Sequence, residues 1–571
     1  MQNSKIYRAT CVRLILMSFF LFTCTHSYSQ FSWAVKAGDN NGINYAQNIV
    51  IDHHHNEIIC GYAGVASVFG STTLVNYGGF LDAFIAKYDS TGTLLWAKAI
   101  GGSDRDYAYS VAVDAADNIY MAGSFGSSHI HFSPTDSVAI SGPGGFITNS
   151  YLVKYDAGGN YLWAKTNSGA NTTSGTAVTV DANGNPILGG IFATSTTFSG
   201  TTITGSYGNL FVAKYTSSGS LLWAKAGQAA GSCNMSAITT DAKGNIYPCG
   251  KISTSVTFGT TTTPNIGGDD SYFGKLDSSG NLVWMKVLGS AYPVTDGQHD
   301  LDCANGIGVD VFGNVYVAGN YLDTNYVIPS PLTIVNEQSA YVAKYTSAGA
   351  QIWMKKFGRT KTDGCNALAL DAAGYPYITG NYTDASSVNI GGATLPSLTT
   401  TNESSFIAKL DTGGNGVSVF TCGSVTNGYA AGIAIDGLTG SIATTGYFQY
   451  LGKFGSSISL TSTGTTTNDI YTTRQINSVA PHSGAGVATI SHTAFNFSVF
   501  PNPGSGIVTI RFENSTYHKL SILSVDGKII TGTDLNTDTY LLNTNNMAPG
   551  IYLISVQDEQ NNSLTKRFVK E

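Results

Sequence analysis

Seven aspartates recur in one setting along this chain: Asp52, Asp114, Asp181, Asp241, Asp310, Asp371 and Asp436. Each closes an alternating run and precedes a turn, as in VAVDAADNIYMAG or ITTDAKGNIYPCG. A carboxylate repeated in near-identical context reads as a turn cap whose oxygen takes the next backbone amides, not as a catalytic acid. Lys87, Lys154, Lys214, Lys275, Lys344 and Lys409 also recur, between small or apolar neighbours, and read as solvated or as packed along their stems. His53, His54 and His55 occupy the first copy's turn. Imidazoles take transition metals, but neighbours on a turn seldom converge on one ion. Asp269-Asp270 and the run Asp296-Gly297-Gln298-His299-Asp300-Leu301-Asp302 cluster the oxygen ligands that calcium prefers, without EF-hand spacing. Calcium is therefore the one cofactor that these runs admit. Neither a Gly-x-Ser-x-Gly elbow nor a His-Glu-x-x-His pair occurs. The repeat is most irregular over 287–305 and 321–338, so Tyr321, Tyr326, Asp300 and Asp302 are the candidate ligand residues. Aromatic rings there would stack on a sugar and carboxylates would accept from its hydroxyls.

The elements that position these groups follow from the repeat. The Asp motif recurs every 60 to 69 residues. A tryptophan strand (LLWAKAIGG, YLWAKTNSG, LLWAKAGQ and others) holds all six tryptophans, Trp33, Trp96, Trp163, Trp223, Trp284 and Trp353. A third motif, as in DAFIAKYD and NLFVAKYT, supplies the lysines. Period-two alternation between Gly-rich turns gives about four short strands per unit. One such sheet buries too little apolar surface to stand alone, so units must stack, and strand twist turns the stack into a ring. The expected fold is all-β, a seven-bladed β-propeller over 30–476. The repeats start on a tryptophan strand and end on NDIYTTRQI, so residues 31–38 are expected beside 468–476, closing the ring. GNGVSVFTCG is a decayed tryptophan strand with Ser418 in the Trp place.

Composition fixes the compartment. The 36 acidic residues outnumber the 29 basic ones, giving a net charge of −7 that repels phosphate backbones, so nucleic acid is not an expected partner. Lys5, Arg8 and Arg13 precede the apolar run LILMSFFLF and small residues at Ser27 and Ser29, the order of a signal peptide over 1–29 cut before Gln30. That run is too short to span a bilayer, so no transmembrane segment is expected after its removal. Six cysteines follow the leader, in no CxxC pattern.

The Val-x-Val-Asp, turn, Gly-Asn-x-Tyr-Val-x-Gly pattern resembles the bacterial SBBP β-propeller repeat and, more distantly, NHL-type propellers. The resemblance covers residues 31–476 and implies fold, not activity. Asp89-Ser90-Thr91-Gly92 before Trp96 falls one residue short of quinoprotein spacing, so no quinone is invoked.

After a polar linker at 477–494, residues 495–571 carry a different pattern, FSVFPNPGSGIVTIRF to SLTKRFVKE, expected as a small Ig-like β-sandwich. It resembles the type IX secretion C-terminal sorting domain of Bacteroidetes-type bacteria through Pro501, Asn502, Pro503, the turn at Gly527, Gly550 with Ile551-Tyr552, and the basic end from Lys566 to Lys570. The resemblance implies the type IX machinery as a partner and a secreted or outer-membrane-attached product. Two functions stay open. One is a non-catalytic binding or scaffold module for a polysaccharide or surface protein. The other is a secreted polysaccharide lyase or hydrolase, which would need a carboxylate pair or a metal at the ring centre.

Overall fold

The computed structural model describes residues 31–475 and 496–570, apart from 40–42, 65, 140–147, 170, 290–301, 323–337, 358–362, 384–387, 396–402, 425–427, 455–457, 463, 465–466, 501–505, 514–517, 525–528, 536, 538, 549 and 559–562. Among the described residues every regular element is a β-strand, and the strands form many small antiparallel sheets. The chain divides into two compact units, 1–480 and 481–571.

In the first unit each copy of the repeat folds as four antiparallel strands. Copy 1 comprises Asn44–Ile51, Glu57–Ala63, Asp82–Tyr88 and Leu94–Ile100, paired in that order. Copies 2 to 6 begin with the inner strands Asp106–Val113, Thr173–Val180, Cys233–Thr240, Cys303–Val309 and Gly364–Leu370. The last copy joins Gly428–Ile435, Ile442–Gln449 and Asn468–Gln475 to the N-terminal strand Phe31–Gly38, with Trp33 opposite Arg474 and Ala34 opposite Thr473. Each inner strand packs beside the next, and Gly428–Ile435 lies against Asn44–Ile51.

The repeat motifs fit together at fixed points. Every repeated Asp accepts amides of its own turn: Asp114 takes Ala116 at 3.0 Å and Asn118 at 2.9 Å, and Asp310 takes Phe312 at 3.0 Å and Asn314 at 2.8 Å. The lysines follow the packed alternative and add a charge partner. Five of the six pair with the cap of their own copy: Lys87 is 4% exposed and ion-pairs with Asp52 at 2.7 Å, Lys214 pairs with Asp181 at 2.8 Å, and Lys409 with Asp371 at 3.5 Å, while Lys275 is partly exposed and lies 5.4 Å from the Tyr247 ring. The lysine strand runs beside the Asp hairpin, so the cap carboxylate is the nearest counter-charge for a buried ammonium. Several also donate into the following copy, Lys87 to Ala157 O at 2.9 Å and Lys154 to Ser217 O at 3.1 Å.

The tryptophans lie between copies, but in a half-exposed setting with polar ends. Trp33 Nε1 donates to Ser90 O at 3.0 Å and Trp353 Nε1 to Thr412 O at 2.9 Å, each in the next copy's last hairpin. The ring rests on that hairpin's glycine. A Cβ on Gly219 would stand 3.1 Å from the Trp163 ring and 2.7 Å from Lys165 Cε, and its φ of 88° already excludes most side chains. Ser418, at the decayed position, sits opposite Lys409 as Trp96 sits opposite Lys87.

A further element was not expected. Short hairpins between the second and third strands reach back to the preceding copy's outer strand: Phe198 pairs opposite Asn167, Phe258 opposite Gly227, Phe454 opposite Cys422 and Phe69 opposite Ala37. They bury these phenylalanines and cover edges that would otherwise offer open backbone groups. The six cysteines after residue 30 are all free thiols.

The junction between the last and first copies differs from the others. Arg474 takes the lysine's place and bonds Asp436, the cap of its own copy, while its Nη1 donates to His55 O at 2.8 Å and lies 3.8 Å from Glu57 Oε1. Glu57 is fully buried where other copies carry Ile119, Ile246 or Ile442. Burial raises its carboxyl well above the usual range against the opposing pull of Arg474.

In the C-terminal unit, Asn496–Phe500, Ile507–Glu513 and Thr539–Asn543 form one sheet. His518–Ser524, Ile529–Leu535, Gly550–Asp558 and Ser563–Lys570 form another. Phe497, Val508 and Ile510 of the first share one buried core with Leu520, Ile554 and Phe568 of the second.

Candidate functional site

The inner strands surround a cavity of about 700 Å³, lined by residues from the inner strand of every copy. A bulge in each inner strand shapes its wall. In Asp106–Val113, Ala108 turns into the sheet stack while Tyr109 and Ser110 reach the cavity, and Asn305 and Asn366 do so in copies 5 and 6. Among the described residues the lining holds no Asp, Glu, His, Lys or Arg.

Two tyrosines of the lining, Tyr109 and Tyr429, are the ends of a longer aromatic series. Tyr45, Tyr107 and Tyr429 occupy equivalent places near the starts of the inner strands of copies 1, 2 and 7, where copies 3 and 4 carry Ser174 and Asn234. Tyr62 and Tyr447 stand opposite two of them on the second strands. The rings touch in series: Tyr109 with Tyr107 at 5.8 Å, Tyr107 with Tyr62 at 4.9 Å, Tyr62 with Tyr45 at 5.3 Å, Tyr45 with Tyr447 at 4.5 Å, and Tyr447 with Tyr429 at 5.3 Å. All six rings are partly exposed. Asn468 donates to the Tyr45 hydroxyl at 2.5 Å and Ser124 to that of Tyr109 at 3.4 Å. Among the described residues the hydroxyls of Tyr62, Tyr107, Tyr429 and Tyr447 make no hydrogen bond to protein. Burial, then the neighbouring phenols, raises Tyr62 and Tyr447, and burial pushes Tyr429 up to about 12, so these three stay protonated donors.

The hairpins at the opposite end carry the histidines. Asp117, in the turn of copy 2, takes His53 Nδ1 at 2.7 Å on one oxygen and His54 Nδ1 at 2.6 Å on the other, while His55 Nδ1 reaches Asp436 of copy 7 at 2.8 Å. Burial would raise Asp117, yet these donors hold it below the usual carboxylate range. The three imidazoles thus tie copy 1 to both neighbours. Asp52, His54 and Asp117 do bring one ligand atom each within 4.8 Å of the others. Asp52 is already engaged by Lys87, by two turn amides and by Asn56, and both Asp117 oxygens are engaged by the histidines.

The residues singled out in the sequence are dispersed. Tyr321 belongs to the strand Val315–Leu322, not to the loop after it, and packs edge-on against Tyr341 at 6.1 Å in the core, 8% exposed. Asp302 is buried nearby and raises Tyr321 further beyond what burial does. Tyr326 and Asp300 lie outside the described residues. At the proposed calcium positions, Asp269 pairs with Lys251 at 2.6 Å and Asp270 accepts the Ile266 amide at 2.5 Å. In the C-terminal unit Gly550 pairs opposite Lys570, and Lys566 donates to Phe497 O with its ammonium 5.2 Å from that ring. Pro501, Asn502, Pro503 and Gly527 lie outside the described residues. Sequence reading missed the tyrosine arc. Its signal was tyrosine at period-two spacing (Tyr107, Tyr109) and at matching places in copies not adjacent in sequence.

Comparison with known proteins places the C-terminal unit. Residues 498–571 match the family described as secretion system C-terminal sorting domain. The chain therefore carries a secretion sorting tail, which marks a secreted or cell-surface protein served by the secretion machinery. The uncharacterized WD repeat-containing protein L264 of Acanthamoeba polyphaga mimivirus is 26% identical over 234 residues, 34% of this chain and 16% of that protein. Two solved structures are similar at low identity. A fungal alcohol oxidase of the AA5 family in complex with copper is 11% identical, with a TM-score of 0.40 over 95% of this chain and 99% of that one. PorZ, a surface component of the type-IX secretion system of Porphyromonas gingivalis, is 11% identical, with a TM-score of 0.20 over 94% of this chain and 100% of that one. Among the described residues no helix is long and apolar enough to cross a membrane.

Proposed function

We propose that this chain is an exported, non-catalytic binding module: a seven-bladed β-propeller of the SBBP type over 30–476, delivered through the type IX route by the tail at 495–571. In this reading the signal peptide leaves before Gln30, 477–494 is the linker, and the strand Phe31–Gly38 closes the ring as the outer strand of the seventh blade. The pairing of that strand with Asn468–Gln475 and the packing of Gly428–Ile435 on Asn44–Ile51 support the closure. The ligand, a polysaccharide or a surface protein, enters the central cavity.

The uncharged cavity wall carries this reading. Hydrolase and lyase chemistry needs a positioned acid, base or metal at the reacting bond. The wall offers amides, hydroxyls and phenols that stay protonated, groups that bind and orient. Two experiments test the proposal. Deleting 495–571 is expected to abolish surface display, and normal display of the truncated chain would refute the sorting role. Incubating the full chain with a polysaccharide panel is expected to release no new reducing or unsaturated ends. Product formation abolished by one acidic substitution would overturn the non-catalytic reading.

A further inference from the structure

We infer that the ligand of the cavity is a neutral glycan chain, held by the tyrosine arc of copies 7, 1 and 2; this rests on the reading of the cavity as a binding site. Three observations select that chemistry.

The first is the arc itself. Tyr109, Tyr107, Tyr62, Tyr45, Tyr447 and Tyr429 form an unbroken series of ring contacts, from 4.5 to 5.8 Å, whose two end members, Tyr109 and Tyr429, line the cavity. Tyrosine gives a large, stiff, apolar face at small entropic cost, with a donor at its rim. That combination suits a pyranose, which presents C–H groups on its faces and hydroxyls around its edge.

The second is the asymmetry of the mouth. Places that carry tyrosine in copies 1, 2 and 7 carry Ser174, Asn234, Cys303 and Gly364 in copies 3 to 6. A chain lying across the mouth meets aromatic faces on one side and small or polar residues on the other. Ring stability alone gives no reason to gather the aromatics in three neighbouring copies.

The third is charge. A uronate, sulfate or phosphate group would need a cation to offset its desolvation, typically a bidentate arginine. The described lining has none, and Lys251, near the mouth in copy 4, is held by Asp269 at 2.6 Å. The volume of about 700 Å³ lies within the usual range for ligand sites, roughly 300 to 1,000 Å³.

The test is calorimetric titration of the full chain with hexasaccharides of β-1,4-glucose, α-1,4-glucose, β-1,4-mannose and β-1,4-xylose, and with hexagalacturonate as the anionic probe. Binding of at least one neutral hexamer is expected. It should fall by about tenfold or more in Tyr109→Ala/Tyr429→Ala and persist within about threefold in Tyr109→Phe/Tyr429→Phe, which keeps the rings and covers the case where the alanine variant misfolds. No binding of any neutral hexamer, or binding unchanged by the alanine pair in a folded protein, would overturn the inference. Binding of hexagalacturonate alone, lost in the same variant, would overturn the neutral-glycan assignment while leaving the cavity as the binding site.

Discussion

Removing the arginine at the junction of the first and last copies should unlock it. Arg474 is 4% exposed and faces two buried carboxylates, Asp436 and Glu57, while also donating to His55 O. Arg474→Met keeps the stem and deletes the charge. Removing one partner of a buried ion pair costs about 3 to 5 kcal/mol. Two features pull the expectation to the lower end. Turn amides from Leu438 and Thr439 stay on Asp436, and Glu57, already raised by burial, can take up a proton instead of remaining a bare anion. The expected loss is therefore about 3 kcal/mol at pH 7, and smaller at pH 5, where protonating Glu57 is easier. Glu57→Ile/Arg474→Lys restores the residues of the other copies and should recover most of the loss. Urea unfolding of the full chain, followed by tryptophan fluorescence, reads this out, since Trp33 lies opposite Arg474. Equal stability of Arg474→Met and wild type, within about 0.5 kcal/mol, would refute the coupling described for this junction.

Three further outcomes follow from other parts of the fold. Lys87→Met, which breaks a contact at 2.7 Å between buried partners, should cost about 3 kcal/mol, whereas Lys409→Met, at 3.5 Å in a more exposed setting, should cost under about 1 kcal/mol; similar urea midpoints for the two would contradict the burial argument. Gly219→Ala should lose about 1 to 3 kcal/mol by forcing a side chain into a positive φ against Trp163 and Lys165, and an unchanged thermal midpoint would count against that packing. Burial raises Asp82 to about 6 and Asp106 to about 7, the second also through its neighbour Asp82. Both hold protons in the folded state that the unfolded chain releases near pH 4. Their contribution is thus fully present below pH 4 and lost as pH rises to about 7, and Asp106→Asn should flatten the stability profile across that window. A variant profile parallel to wild type would show that Asp106 is not the titrating group.

Much of this was legible in the sequence, for identifiable reasons. An Asp before a tight turn caps it locally, within four residues, so Asp114 and its six counterparts could be read from a motif alone. The lysines could not: Lys214 and Asp181 are 33 positions apart, and only the pairing of their strands shows that a repeated cation faces a repeated anion. The histidine turn was placed correctly in the first hairpin, but its partners Asp117 and Asp436 come from copies on either side, one of them near the other end of the repeat array. Tyr321 was assigned to an irregular loop because irregularity starts right after it, yet it completes a strand and its ring fills the core. The tyrosine arc escaped because its members are ordinary strand residues singly, and become a surface only when copies 7, 1 and 2 stand side by side.

That adjacency also creates the cavity, so ring closure by the N-terminal strand is the claim on which the site depends. Opposed residues of antiparallel strands have Cα atoms about 4.5 to 5.5 Å apart, within the span of a disulfide. Ala34 and Thr473 are opposed across the closing pair, and the native cysteines are free and mostly buried. Ala34→Cys/Thr473→Cys in the full chain should therefore form an intrachain bond under mild oxidation, seen as a peptide linking residues 34 and 473 in a non-reducing digest. Thiols at both positions that stay reduced and label freely in the folded protein would contradict the closure, and with it the channel.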